Sequence, residues 1–396
     1  MKIAFFSNFL NHHQLPLCER LSSRDDVEFY FVATTPTEGD RLKMGYRDMN
    51  DEYPFVVKAY EDDATAKMLC ETADVMIYGA APIEYLNIRM EKNLLTFYFS
   101  ERPLKKGYYR RFIPFTRKKI FDQYVKFNDK NLYVLCASAY ASYDLKICGF
   151  NPEKCFKWGY FPRTIDKPID DLFSLKDQNK KVKILYAGRL LQLKRVIDLC
   201  KAVKLLTDEG IGNFTVDIIG DGEERQNVID YINKNNLSSV ISISPFIPAD
   251  EVRNKMDESD VYFFGSDFKE GWGAVVNEAM NSACAVVSSH SVGACAYLIK
   301  DGKNGLIYEC GNVKKLKEAL KKVIIDKDFR RELSKNAYST IKNEWSHTVA
   351  SDRLISLSKA MLDGKKFNLF SDGVLSPATP LKNNWVKRLT KDKEND

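Results

Sequence analysis

The 396-residue sequence lacks any apolar run near the roughly 18 to 20 residues that a spanning helix needs, which argues against a membrane-embedded chain. The first ten residues carry a single charge, Lys2, and no small-residue cleavage pattern, so they read as a strand and not as a signal peptide. Histidine is scarce, with four copies, and the nine cysteines are odd in number, with no Cys-x-x-Cys pair and no Cys/His cluster. A disulfide framework is therefore unexpected, and reduced thiols in the cytosol are the economical reading. There is no internal repeat and no low-complexity tract. The only Asp-x-Asp, Asp326-Lys327-Asp328, lies between two helical patterns and reads as a helix cap, so no metal is expected.

What is present is a chain of ordinary globular composition, 44% apolar, 12% aromatic and 29% charged, long enough for two cores of roughly 150 to 200 residues each. Short β-rich runs alternate with amphipathic stretches almost from end to end, the pattern of parallel sheets with crossover helices. Strands are predicted at 2–7, 27–33, 55–58, 75–79, 94–100 and 132–137, and again at 183–187, 214–219, 240–244, 261–265, 283–288 and 305–308. The fold class is thus α/β, two Rossmann-like doubly wound domains facing a central cleft. An N-terminal domain is expected over 1–160, a linker over 161–182 where Pro162, Pro168 and paired Asp break the periodicity, and a C-terminal domain over 183–345. Residues 346–396, a helix and then a Gly/Pro-bearing tail, are expected to pack back toward the N-terminal domain.

Ligands of such sheets sit beyond the carboxyl ends of the strands. The strand 183–187 ends in Gly188-Arg189, with Lys194 opening the next helix, and a guanidinium with an ammonium a few residues apart can clamp two phosphates. Solvated loop cations would look the same. A second feature is sharper: the strand 261–265 runs into a loop with Glu270, after which Gly271, Trp272, Gly273 and Ala274 open a helix whose free amides form an anion site. Glu278 lies two turns along that helix, about 12 Å from Glu270 by helical rise. Two carboxylates flanking a diphosphate suit a ligand with a sugar at each end; the plain alternative is a first-turn acid and a surface position. Gly220 and Asp221 end the second strand of this half and Phe246 and Ile247 follow the third, placed to hold a ribose and a base, though turn chemistry alone explains both.

Gly188-Arg189 with Lys194, Gly220-Asp221-Gly222, Glu270-x7-Glu278 in Glu-Gly-Trp-Gly, and Asp301-Gly-Lys-Asn-Gly-Leu after a Ser-Val-Gly loop resemble, in combination, the donor-binding domain of retaining GT-B glycosyltransferases of family 4, the group 1 type, over about Lys183 to Glu344. The resemblance implies that Arg189 and Lys194 hold the diphosphate of a nucleotide sugar, with UDP or GDP as the nucleotide, that Glu278 takes the ribose hydroxyls, and that Glu270 takes hydroxyls of the transferred sugar. It implies catalysis by Glu270, Arg189 and Lys194 with retained anomeric configuration, by front-face attack in which the leaving phosphate helps to deprotonate the acceptor, and no bound cofactor or metal.

In the N-terminal half, Asn8-Phe-Leu-Asn-His12-His13-Gln14 follows the first strand, and either histidine is placed to meet an acceptor or act as a base; the alternative is a helix start capped by Asn11. Glu101, after the strand 94–100, is a further acceptor-side candidate unless it pairs with Arg102. The net charge is only +6, but residues 102–130 hold ten basic and two acidic side chains, so the rest of the chain nets −2. Aromatic residues interleave with these cations, which suits an anionic membrane surface, while a solvated helix face over a core stripe is the bland alternative. The reading is a cytoplasmic glycosyltransferase (EC 2.4) peripherally attached to the inner face of the cell membrane, acting on a glycan or lipid-linked acceptor in capsule, exopolysaccharide or O-antigen assembly. Alternatives are an inverting GT-B enzyme with a His12 or His13 base, a catalytically silent membrane-docked partner subunit, and, more weakly, an RNA-binding module; no nucleic acid is expected.

Overall fold

The computed structural model of the protein describes residues 1–37, 48–365 and 370–386. The described chain divides into two compact units, Met1–Arg163 with Ser346–Leu381, and Thr164–Trp345 with residues 382–386.

The first unit is built on a seven-stranded sheet of Lys2–Ser7 (β1), Glu28–Ala33 (β2), Val56–Lys58 (β3), Val75–Tyr78 (β4), Thr96–Ser100 (β5), Leu132–Cys136 (β6) and Cys155–Lys157 (β7). Every neighbouring pair is parallel, in the order β3-β2-β1-β4-β5-β6-β7. Ile3, Ala4, Phe5 and Phe6 are all buried, as the central strand of a parallel sheet covered on both faces requires, which is why the sequence there is a continuous apolar run and not an alternation. The order reverses at β1, whose neighbours are β2 and β4, and the carboxyl edge at that point is where a doubly wound sheet leaves room for a ligand.

The second unit repeats the plan with Val182–Ala187 (β8), Phe214–Ile219 (β9), Ile241–Ser244 (β10), Val261–Phe264 (β11), Ala285–Ser289 (β12) and Leu306–Tyr308 (β13), all parallel in the order β10-β9-β8-β11-β12-β13. Its core gathers Ile184, Tyr186, Leu199, Val216, Ile218 and Phe263 from strands and helix together. Here the reversal point is β8, between β9 and β11.

Two segments depart from the sequence reading. The expected linker 161–182 contains a helix, Ile169–Asp177, whose Leu172 is buried against Ala283 and Tyr338 of the second unit. Pro168 before the helix and Asp170 and Asp171 in its first turn act as start signals that favour the helix dipole and not as breakers. The three-residue β7 was not anticipated; it is an edge strand that the tail covers. Phe156 bridges Pro377 antiparallel, Leu375 donates to the Lys157 carbonyl at 2.8 Å, and Lys157 donates to the Ser376 carbonyl at 2.8 Å. Val374 and Leu375 are fully buried there, so the described part of the tail closes a sheet edge. The helix His347–Leu362 packs on Leu15–Ser22, with Arg24–Asp352 and Lys359–Asp26 contacts at 2.7 and 2.8 Å, all within the first unit.

Candidate functional site

At the carboxyl edge of the second sheet, the loops after β8 and β9 touch so closely that only glycine fits. A Cβ on Gly220 would lie 1.9 Å from the Gly188 carbonyl oxygen, and one on Gly222 would lie 2.5 Å from that of Leu190; both residues have positive φ, 152° and 149°. The Leu190 amide donates to the Asp221 carbonyl at 2.7 Å and locks the two turns together. Arg189 projects from this edge, exposed, and its carbonyl accepts from the buried Tyr186 hydroxyl at 2.9 Å. No hydrogen bond or ion pair engages the Arg189 guanidinium among the described residues.

Lys194 sits in the short 3-10 turn Gln192–Lys194, ahead of the helix Val196–Asp208, and not in that helix as expected. Arg195, with φ 53°, makes the bend between the two, and the Asp267 amide donates to the Leu193 carbonyl at 2.8 Å, so the β8 and β11 loops are joined by backbone. Across that junction Lys194 Nζ meets Glu270 Oε2 at 2.5 Å, with both side chains about 15% exposed. The Ser266 hydroxyl donates to the same carboxylate oxygen at 2.8 Å, and the ammonium lies 5.0 Å from the centre of the Phe264 ring. The structure thus brings the expected phosphate cation and the expected sugar carboxylate into one partly buried cluster. Ser266 was missed in the sequence because its role depends on a loop fold that spacing does not reveal.

The helix after this loop is Val275–Asn281, shorter than the sequence suggested, so Glu278 falls in its first turn. Gly271 and Gly273 belong to the loop before it; Gly273 has φ 92°, and a Cβ there would strike the Phe264 ring at 2.7 Å. Glu278 is half-buried, and burial pushes its carboxyl above the ordinary Glu value, against the pull of the Arg253 guanidinium. Its carboxylate has no hydrogen-bond or ion-pair partner among the described residues. Trp272 turns inward: its ring lies 5.8 Å from Trp345 and 6.1 Å from Tyr297, and its Nε1 donates to Asn277 at 2.9 Å, leaving only its backbone for a ligand. Phe246 is 56% exposed just beyond β10, with Ile247 half-buried beside it. Asp326 caps the helix Lys327–Glu344 by accepting from the Phe329 amide at 2.9 Å.

In the first unit a cavity of about 710 Å³ opens at the carboxyl edge of β1, β4 and β5. Asn8, Asn11 and Gln14 line it after β1, Gly79 to Ala81 after β4, and Ser100 and Glu101 after β5. Glu101 pairs with Tyr160 at 2.9 Å and Lys105 at 3.4 Å and not with Arg102, which instead lies buried against Asp144 at 3.0 Å. The His12 and His13 rings lie tilted at 48° with centres 3.8 Å apart and are not among the residues that line the cavity, and Asn11 accepts from the His13 and Gln14 amides ahead of the helix Leu15–Ser22. Tyr160, 59 residues from Glu101, was invisible to spacing. The far wall of the cavity is the helix Pro114–Gln123, which supplies Phe115, Thr116, Lys119 and Ile120, with Arg110 just before it. On the outer side of the same segment Tyr109, Phe112, Phe115 and Phe121 are 51 to 78% exposed.

Residues 169–340 match the family model described as glycosyl transferases group 1. Among curated proteins the chain is similar to a poly(glycerol-phosphate) alpha-glucosyltransferase of Bacillus subtilis, 28% identical over 49% of this chain and 28% of that one. It is similar also to the capsular polysaccharide biosynthesis glycosyltransferase CapM of Staphylococcus aureus, 25% identical over 55% of this chain and 56% of that one. A third relative is a Campylobacter jejuni alpha-1,4-N-acetyl-D-galactosaminyltransferase named for a diphospho-undecaprenol-linked acceptor, 31% identical over 43% of this chain and 48% of that one. The matches span at most about half the length of these relatives. Among solved structures, Anabaena Alr3699/HepE, determined in complex with UDP, superposes with a TM-score of 0.68 at 16% identity, covering 91% of this chain and all of that one. TarM superposes at 0.55 with 17% identity, over 72% of this chain and 54% of its own. Residues 169–340 thus carry the match to the glycosyl transferases group 1, and the chain has the GT-B fold of two Rossmann-like units seen in these solved structures.

Proposed function

We propose that the protein is a glycosyltransferase that moves a sugar, with its anomeric configuration retained, from a UDP- or GDP-linked donor to a lipid-linked or polysaccharide acceptor of a capsule, exopolysaccharide or O-antigen. The observation that carries this reading is the Lys194–Glu270–Ser266 cluster at the carboxyl edge of β8 and β11, within the segment that matches the family. A diphosphate arriving at this edge meets Arg189 and Lys194, and the ammonium can pass from the carboxylate to the phosphate while Glu270 turns its oxygens to hydroxyls of the sugar. As the glycosidic bond breaks, negative charge moves onto the diphosphate, where Arg189, Lys194 and the loop amides receive it. The unpartnered, half-buried carboxylate of Glu278 suits a pair of ribose hydroxyls, since a buried acceptor without a donor is costly until one arrives.

The acceptor class rests on the relatives. By their names, those above are a glucosyltransferase of poly(glycerol-phosphate), a glycosyltransferase of capsular polysaccharide biosynthesis and a galactosaminyltransferase of a diphospho-undecaprenol glycan. Attachment to the inner face of the cell membrane rests on the exposed rings of Tyr109, Phe112, Phe115 and Phe121 among the cations of residues 102–130. No helix among the described residues is long and apolar enough to cross a bilayer. The test is sugar transfer, or donor hydrolysis, by Glu270→Ala. A fall of roughly 100-fold or more is expected with nucleotide affinity kept within a few-fold. Transfer at the wild-type rate would sink the proposal.

A further inference from the structure

The cavity of the first unit has two chemically different walls. On one side the amides of Asn8 and Gln14, the carboxylate of Glu101 and the ring of Tyr160 offer neutral and acceptor groups of the kind that hold a polyol. On the other side stand two cations, Arg110 and Lys119. Three neighbouring cations are paired elsewhere: Lys105 with Glu101, Lys118 with Asp122 at 2.7 Å, and Arg102 with Asp144, and Lys106, Arg111 and Arg117 do not line the cavity. Arg110 and Lys119 have no carboxylate partner among the described residues, and the one carboxylate that lines the cavity is occupied by Tyr160 and Lys105. Two cations without a carboxylate partner on one wall of a concave site favour an anionic occupant. A volume of about 710 Å³ holds more than a single sugar ring. Phe115 lines the cavity and is also 78% exposed, so an apolar chain attached to the anion would leave over an apolar surface.

We propose that this cavity binds a glycosyl phosphate, with Arg110 and Lys119 holding the phosphate group and the β1 and β5 loops holding the sugar. This rests on the glycosyltransferase reading, in which the occupant is the acceptor. The phosphate belongs either to a polyprenyl carrier or to a soluble or polymeric sugar phosphate, and the measurement separates the two.

Binding is measured by titration calorimetry on the full chain carrying Arg189→Ala and Lys194→Ala, which removes phosphate binding at the second unit. The probes are glucose 1-phosphate, N-acetylglucosamine 1-phosphate, their geranyl-diphosphate-linked counterparts, and the matching methyl glycosides. Phosphorylated probes should bind at least tenfold tighter than methyl glycosides. Arg110→Ser with Lys119→Ser should weaken the phosphorylated probes about tenfold per cation and leave the glycosides unchanged. Tighter binding of the geranyl-linked probes identifies a lipid carrier, and equal affinity identifies a lipid-free one. The proposal is overturned if phosphorylated probes bind no better than methyl glycosides, or if their affinity survives loss of both cations. UDP and GDP titrated into the wild-type chain report on the donor reading separately, so failure there leaves this result standing on its own.

Discussion

Arg102 shows how one side chain can mislead a charge count. By position it opens the basic segment; in the structure it is 2% exposed and donates to Asp144, itself 0% exposed, while the Leu104 amide adds a bond to the same carboxylate at 2.9 Å. Burial still pushes the Asp144 carboxyl upward, against the guanidinium that draws it down. Removing one partner strands a buried charge, so Arg102→Met should cost about 3 to 5 kcal/mol in urea denaturation, and the double change with Asp144→Leu should recover much of it. Full stability in the single variant would mean that the pair is solvated.

Glu278 makes the opposite kind of prediction. Its folded-state pKa lies above the ordinary value near 4.5, so the folded chain binds more protons than the unfolded chain between those two values, and stability falls as pH rises through that window. Glu278→Gln should therefore be more stable than the wild type at neutral pH, with the advantage fading below about pH 4.5, and should bind nucleotide roughly 10- to 100-fold more weakly. A destabilised variant at pH 7, or unchanged nucleotide affinity, would remove Glu278 from the site. Arg189, Glu270 and Glu278 could be picked out as candidates because strand exits and a glycine-bearing loop announce themselves in sequence. Ser266 and Tyr160 were not, because a loop's internal hydrogen bond and a partner 59 residues away have no spacing signature.

At the scale of elements, strands were read more accurately than their neighbours. A parallel strand covered on both faces is a compact apolar run, and β9 was placed to the residue at Phe214–Ile219. The helix Ile169–Asp177 was lost because Pro and paired Asp serve equally as breakers and as helix starts, and only the burial of Leu172 decides between them. The segment from Tyr108 to Gln123 divides at Ile113 into a 3-10 turn and the helix beginning at Pro114, as that proline's missing amide demands. If this element meets an anionic bilayer, reversing Arg110, Arg111, Lys118 and Lys119 to Glu should lower co-sedimentation with phosphatidylserine vesicles by at least tenfold, at about 1 kcal/mol per cation, and leave nucleotide binding intact. Undiminished sedimentation would contradict the membrane proposal.

For the molecule as a whole, alternation of strand and helix patterns was enough to give two doubly wound units, because each crossover in a parallel sheet needs its own helix. A return of the tail toward the first unit was expected, but the edge strand it covers was not legible. The described tail returns to the edge strand β7 and buries Val374 and Leu375, a contact between segments more than 200 residues apart. The uneven charge, by contrast, was plain from the order of residues, and its surplus falls on the unit that carries the 710 Å³ cavity, while the family-matched unit has Arg189 and Lys194 at its sheet edge. The central claim is that Glu270 and Lys194 serve sugar transfer with retention, and the direct measurement is the anomeric coupling constant of the product by proton NMR, once a nucleotide-sugar panel has found the donor. The account predicts that an α-linked donor yields an α-linked product with the wild type and none above background with Glu270→Ala; a β-linked product, or an α-linked one formed equally well without Glu270, would contradict it.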